Sequence, residues 1–239
     1  MRLGVLAALL LTISGLWAGE APLVVLSYNI RQDTAGDQGP RDWPQRRDLL
    51  TAYLRTSNAG IIGLQEVRHN QLLDVDKALP NHDHVGVGRN DGKTAGEYSP
   101  IFFDRRLWKA AAHGTFWLSD TPEIPNSRTW GNNYPRICTW VRLIGVHESL
   151  QGTALSVYNT HWDHRSQPSR LKSAALILQT IKERPHRNDP VILMGDLNAT
   201  TDNPAVRLLL DSGLLNDHGK DEVRTASGWK AQLGLLYTS

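Results

Sequence analysis

Apolar positions along the chain fall into short runs that close on polar residues, with helical spacing between some of them. Residues 23–30, "LVVLSYNI", are apolar and β-branched without a helix start signal, which predicts a strand. In 43–57, "WPQRRDLLTAYLRTS", Leu49, Leu50, Tyr53 and Leu54 recur at helical spacing, with Asp42 at an N-cap position and Pro44 in the first turn. A helix is expected there. "IIGLQEV" (61–67) reads as a buried strand. Residues 82–118 read as antiparallel strands, "HVGVG", "SPIFFD" and "GTFWLS", with Asn90-Asp91-Gly92 as a turn.

The Pro-, Asn- and Gly-rich stretch 119–135 predicts a loop, after which "RICTWVRLIG" and "ALSVYNTHW" resume strand character. In 169–184, Leu171, Ala175, Leu178 and Ile181 or Ile177 line one side of an amphipathic helix. "DPVILMGDLN" (189–198) is a strand opening into a loop, and 203–213 a short helix with Pro204 at its start and Gly213 as its stop. No repeat, low-complexity tract or linker interrupts the order. Strands with interspersed helices favour an α/β or α+β domain whose two sheets are covered by helices.

Side chains two apart on a strand share a face. "VYNTHWDH" (157–164) would thus present Asn159, His161 and Asp163 together, "GDLN" Asp196 and Asn198, and "VVLSYN" Ser27 and Asn29. "IIGLQE" delivers Glu66. Four apolar runs that each end in carboxylate, amide or imidazole suit a hard cation or a positioned water. Singly, each has an ordinary reading as a turn, a surface histidine or a cap; the repetition is what carries the inference. His161-x-Asp163-His164 matches half of a His-x-His-x-Asp-His zinc signature, but Asn159 stands where its first histidine is needed. Neither a Gly-x-Ser-x-Gly elbow nor a phosphate-binding Gly-Lys loop is present.

Composition adds two things. Among 239 residues, 26 Lys and Arg against 24 Asp and Glu leave a formal charge of +2 and no long basic run, so charge gives no argument for a polyanionic partner. At the start, Arg2 precedes an apolar run from Leu3 to Trp17, followed by Ala18, Gly19 and Glu20. This is the order of an export signal, shorter than the roughly 20 apolar residues of a membrane span. Residues 1–19 are expected to be a cleaved signal peptide and 20–239 a single domain, secreted or periplasmic; an uncleaved anchor is the alternative. The single cysteine, Cys138, has no partner for an internal disulfide and reads as a buried small hydrophobe.

The pieces "SYNI", "GLQEV", "GEYSPIFFD", "NTHWDH" and "GDLN", in this order over residues 23 to about 218, resemble the endonuclease/exonuclease/phosphatase superfamily. "GTFWLSDTPEIPNS" and "PRICTW" resemble its secreted bacterial subgroup. The resemblance implies an α/β four-layer sandwich of two mainly antiparallel β-sheets flanked by helices, and a phosphoesterase dependent on Mg²⁺ or Mn²⁺. By the same resemblance Glu66 is the principal metal ligand, with Asn29 and Asp196 beside it. Asp196 and Asn198 orient the attacking water and contact the phosphate, and His161 serves the phosphate oxygens or the leaving group. Glu97 and Tyr98 fall where many members carry an active-site residue, while Asp163, His164 and Arg136 are subgroup features without an assigned role.

Family members close on a strand like "IDYIF" and a Ser-Asp-His loop, whereas residues 229–239 here read "WKAQLGLLYTS". Asp217-His218 follows a short helix too soon to replace that loop. A sheet lacking its last strand or strands, and impaired catalysis, are therefore expected. An exported phosphoesterase and a catalytically inactive metal- or phosphate-binding relic both remain open. The substrate expected is a small phosphodiester, a sugar or lipid phosphate, or nucleic acid, and the chain is expected to be a monomer without a stable protein partner.

Overall fold

The apolar runs become the strands of two sheets. The computed structural model describes residues 8–13, 23–217 and 233–237, with side chains described for 23–217. In chain order the elements are β1 (Ala8–Ile13), β2 (Leu23–Asn29), α1 (Trp43–Thr56), β3 (Ile61–Gln65), α2 (His69–Ala78), β4 (His82–Val85), β5 (Ile101–Asp104), β6 (Trp108–Trp117), β7 (Ile137–Gly145), β8 (Ala154–His161), α3 (Gln167–Glu183), β9 (Val191–Asp196), α4 (Pro204–Leu210), β10 (Asn216–Asp217) and β11 (Leu233–Tyr237). One sheet has the order β1-β2-β3-β5-β4 and the other β10-β11-β9-β8-β7-β6. Each is antiparallel except for one parallel pair, β2 with β3 and β8 with β9.

Alternation along these strands feeds three apolar layers. Val25, Ile61, Ile101 and Phe103 of the first sheet meet Val141, Leu155, Val157, Ile192 and Met194 of the second. The opposite faces, Leu26, Ile62 and Leu64, pack on Leu50, Leu54, Leu72 and Val75 of α1 and α2. Tyr158 and Leu193 pack on Ile177, Ile181, Val206 and Leu209 of α3 and α4. Helix, sheet, sheet and helix thus form the four layers, and strands covered on both faces explain why their sequences are continuously apolar. Cys138 is fully buried, and burial raises its thiol pKa.

Several local expectations are corrected. Leu49 is 65% exposed and Leu171 41%, because α1 turns Leu50 and Leu54 inward and α3 turns Ala174, Ile177, Leu178 and Ile181 inward. The predicted stripes spanned two adjacent rows of each helix, of which one is covered. Asp42 occupies the α1 N-cap without a side-chain cap bond, whereas Ser166 accepts from Ser169 N–H at the start of α3. Asn90-Asp91-Gly92 does not join two sheet strands but forms the tip of an excursion between β4 and β5, closed by Arg89 N–H to Glu97 O at 3.0 Å and Asn90 N–H to Ala95 O at 3.0 Å. "LLYTS" contributes to β11, antiparallel to β9, and β10 with Asp217 pairs on its far side; His218 lies outside the described residues.

The α3 packing predicts that Ile181→Ala costs about 2–5 kcal/mol in urea unfolding. Leu171→Gln should stay within about 0.5 kcal/mol of the wild type.

Polar side chains cross the apolar layer between the sheets at one level. Asn159 of β8 is fully buried; its Nδ2 donates to the carbonyls of Leu64 (2.9 Å) and Pro100 (2.8 Å), and its Oδ1 accepts from Gln65 Nε2 at 2.8 Å. The two sheets are tied together there.

Candidate active site

The parallel pairs decide where the polar strand ends meet. In each sheet the two parallel strands finish at the same edge, so Asn29 lies across from Gln65, and His161 across from Asp196. These two edges face one another across the sandwich. Asn29 Nδ2 donates to Glu66 Oε1 of its own sheet and to Asp196 Oδ2 of the other, both at 2.9 Å.

Each of these strand ends breaks sharply. Arg31, Glu66 and Asn198 have φ of 58°, 61° and 46°, the left-handed conformation that side-chain-bearing residues seldom adopt. At Glu66 the departure turns the carboxylate out of the strand alternation and toward Asn29, whereas Arg31 turns to Asp37. Gly195, at φ 151°, precedes Asp196 because a Cβ there would meet Thr160 O at 2.1 Å. Local hydrogen bonds hold the breaks: Arg31 N–H to Asn29 Oδ1 (2.9 Å), Gln32 N–H to Glu66 Oε2 (3.1 Å) and Asn198 N–H to Asp196 Oδ1 (3.0 Å).

His161, the last residue of β8, stands between two carboxylates. Its Nε2 is 3.8 Å from Asp196 Oδ2, and its Nδ1 is 4.0 Å from Glu97 Oε2 and has no hydrogen-bond partner among the described residues. Burial, reinforced by the charges of Arg136 and Arg89, holds its pKa well below the usual imidazole value, so the ring is neutral. Asp196 is shifted the other way: burial raises its pKa and the Glu66 charge adds to this, against the opposing hydrogen bond from Asn29. Glu97 is likewise raised by burial, although Arg89 grips it with two bonds of 2.8 Å. A neutral imidazole offers one N–H donor and one acceptor nitrogen, and a buried carboxylate whose pKa is raised is a stronger proton acceptor than a free one.

Asn29, Glu66, His161 and Asp196 are thus brought together, and Glu97 joins them through His161. Asn198 sits at the rim, where its Nδ2 donates to Trp162 O at 2.9 Å. Tyr98 is placed differently: it is buried against the outer face of the first sheet, its hydroxyl 3.0 Å from both Lys93 O and His69 Nδ1. Asp163 does not share the His161 contacts, because β8 ends at His161 and the chain turns. Its Oδ1 accepts from the N–H groups of Arg165 (2.9 Å) and Ser166 (2.7 Å). Burial would raise its pKa, but these bonds and Arg136 outweigh that and lower it. Arg89 was not singled out by sequence reasoning. A signal existed in the opposite charges of Gly88-Arg89 and Gly96-Glu97, set on either side of an Asn-Asp-Gly tip.

Among the described residues, no group of three or more His, Cys, Asp or Glu is placed to hold a metal ion by itself. The donors that converge are the two carboxylates of Glu66 and Asp196, which share the Nδ2 of Asn29, while the Asn29 Oδ1 is taken by the Arg31 N–H.

A family model described as Endonuclease/Exonuclease/phosphatase family matches residues 26–237. An endonuclease/exonuclease/phosphatase family protein from Bacteroides thetaiotaomicron superposes with a TM-score of 0.82 at 31% identity, covering 90% of this chain and 81% of that one. A mannosyl-6-phosphatase from Bacteroides thetaiotaomicron VPI-5482 gives a TM-score of 0.82 at 30% identity, covering 90% and 85%. An uncharacterized protein of Acanthamoeba polyphaga mimivirus is 25% identical over 174 residues; the match spans 60% of this chain and a quarter (25%) of that protein.

Proposed function

Because the chain belongs to the endonuclease/exonuclease/phosphatase family, we propose that it hydrolyses phosphate esters in the cleft between the parallel strand pairs, with Mg²⁺ or Mn²⁺ as cofactor. The observation that carries this reading is the convergence of Glu66, Asp196 and Asn29 from opposite sheets on shared hydrogen bonds, with His161 beside them. Glu66 and Asp196 would hold the cation through their carboxylate oxygens, and Asn29, which was expected as a ligand beside them, instead braces both carboxylates through its Nδ2. Their chemistry fits it: hard oxygen donors suit Mg²⁺ or Mn²⁺, and an incomplete protein cage suits an ion that keeps waters and takes phosphate oxygens. When bound, such an ion would offset the negative charge that develops on the phosphoryl oxygens.

The remaining work falls to side chains of this chain. Asp196, with its raised pKa, accepts the proton of an attacking water, and the Asn198 N–H fixes one of its oxygens. His161, neutral and enclosed, donates a hydrogen bond to a phosphoryl or leaving-group oxygen, with the Glu97 carboxylate 4.0 Å from its other nitrogen. Export follows from the order of residues 1–19 and belongs to the same proposal. A similar mannosyl-6-phosphatase supports sugar phosphates as one substrate class, level with small diesters and nucleic acid.

The test is hydrolysis of nitrophenyl phosphate and bis-nitrophenyl phosphate with and without chelator. Turnover should vanish in chelator and return with Mg²⁺ or Mn²⁺, and the metal should raise the melting temperature, since a ligand at 100 times its Kd adds about 2.7 kcal/mol. Metal-dependent stabilisation without turnover of any phosphate ester would select the inactive binding relic instead. Turnover indifferent to chelator would remove the metal from the scheme.

A further inference from the structure

Two arginines are buried beside the cleft, and they differ in how their terminal nitrogens are engaged. Arg89 gives both terminal nitrogens to Glu97. Arg136 is held by less: its Nε is 3.4 Å from Asp163 Oδ2, and its Nη2 is 3.1 Å from His164 Nδ1. Asp163 is largely engaged elsewhere, since its other oxygen takes two backbone N–H groups of the turn before α3. Burial and the Arg136 charge keep His164 neutral, so with Nδ1 facing the guanidinium its proton sits on Nε2. A guanidinium has five N–H donors in a fixed fork. The two contacts leave Arg136 Nη1 without a partner among the described residues. Arg136 immediately precedes β7, whose Cys138 pairs with Thr160 of β8, so it lies beside the strand end that carries His161.

Resting on the phosphoesterase reading above, we propose that Arg136, oriented by Asp163 and His164, binds a non-reacting oxygen of a terminal phosphoryl group and makes the site selective for phosphomonoesters. A monoester carries three non-bridging oxygens and up to two charges; a diester has two such oxygens and a single charge. The additional oxygen needs an additional donor, and the open edge of a buried guanidinium is matched to it in charge and geometry. In a diester that position holds an ester oxygen with a carbon substituent, a poor acceptor that crowds the fork. His164 Nε2–H offers a second, neutral donor on the same side.

The experiment compares wild type, Arg136→Ala and Arg136→Lys on nitrophenyl phosphate and bis-nitrophenyl phosphate with Mg²⁺, together with calorimetric binding of orthophosphate. Loss of a charged hydrogen bond predicts a fall in monoester kcat/KM of about 10- to 100-fold for Arg136→Ala, against less than about 5-fold for the diester. Arg136→Lys should recover part of the monoester loss, since it restores charge without the fork. Orthophosphate affinity should fall in parallel. Equal losses on both substrates, or a lowered melting temperature with unchanged substrate preference, would mean that Arg136 only braces the turn, and the proposal is overturned. Should Arg136→Ala not fold, the selective monoester loss in Arg136→Lys decides. A wild type that turns over neither ester but binds orthophosphate through Arg136 refutes the hydrolytic reading alone; a wild type that does not bind orthophosphate refutes the role of Arg136.

Discussion

Asp196→Asn is expected to lower phosphoester turnover by about 10²- to 10⁴-fold, the range for removing a positioned general base. The substitution keeps the side-chain shape and can still accept from either Asn29 or the Asn198 N–H, so loss of the fold would not account for the loss of rate. It also changes how stability depends on pH. In the wild type, burial and the nearby Glu66 charge raise the Asp196 pKa above its unfolded value, so the native state holds a proton that the unfolded state has released. Stability therefore falls as pH rises from the ordinary carboxyl value through the raised one. The asparagine variant lacks this term. Measured in chelator, its melting temperature should improve relative to wild type as pH climbs from acid to neutral, and converge towards a constant offset below the ordinary carboxyl value. A variant that keeps full turnover would exclude Asp196 as the base, and a pH-independent difference in melting temperature would contradict the electrostatic reading.

Asn159→Leu should be the most damaging single change in the described core outside the apolar layers. It removes the donors to Leu64 O and Pro100 O and the acceptor for Gln65 Nε2, all fully buried between the sheets. Those groups keep some partners: Leu64 N–H still reaches Pro100 O, and Gln65 Nε2 still reaches Ser27 Oγ at 3.3 Å. About 2–4 kcal/mol is the expected cost, read from the denaturant midpoint. Activity should fall too, because the tie lies one residue from Glu66 on β3 and two from His161 on β8. An Asn159→Leu protein as stable as wild type would show that the tie is dispensable.

The fold was legible where one physical signal dominated. Continuous apolar runs ending in polar groups gave the strands and their functional edge, since a strand covered on both faces has no other sequence. Helix faces were less legible: Leu49 and Leu171 satisfy the periodicity of a buried stripe, and only tertiary packing selects which row is covered. At the site, Asn29, Glu66, His161 and Asp196 could be named from strand ends. The two-residue rule failed at Asp163 because the chain leaves extended geometry after His161; Tyr98, expected from the resemblance alone, bridges to Val67 and turns its hydroxyl to His69 and Lys93 instead. Glu97 was a soft match because its place depends on Arg89, across an excursion whose pairing is not periodic. The left-handed turns at Arg31 and Glu66 had no signal, as neither is a glycine or an asparagine; Asn198 carries only the weak signal of its residue type.

The tie between Asn159, Gln65, Leu64 and Pro100 has a kinetic corollary. Glu66 and Asn29 belong to one sheet, His161 and Asp196 to the other, and the chain crosses between them only after β5. During refolding from denaturant, secondary structure in either half can appear before any catalytic geometry exists. Recovery of turnover should therefore lag behind the far-ultraviolet signal and keep time with the docking of the two halves, so that an enzymatic assay becomes a clock for the closing of the sandwich.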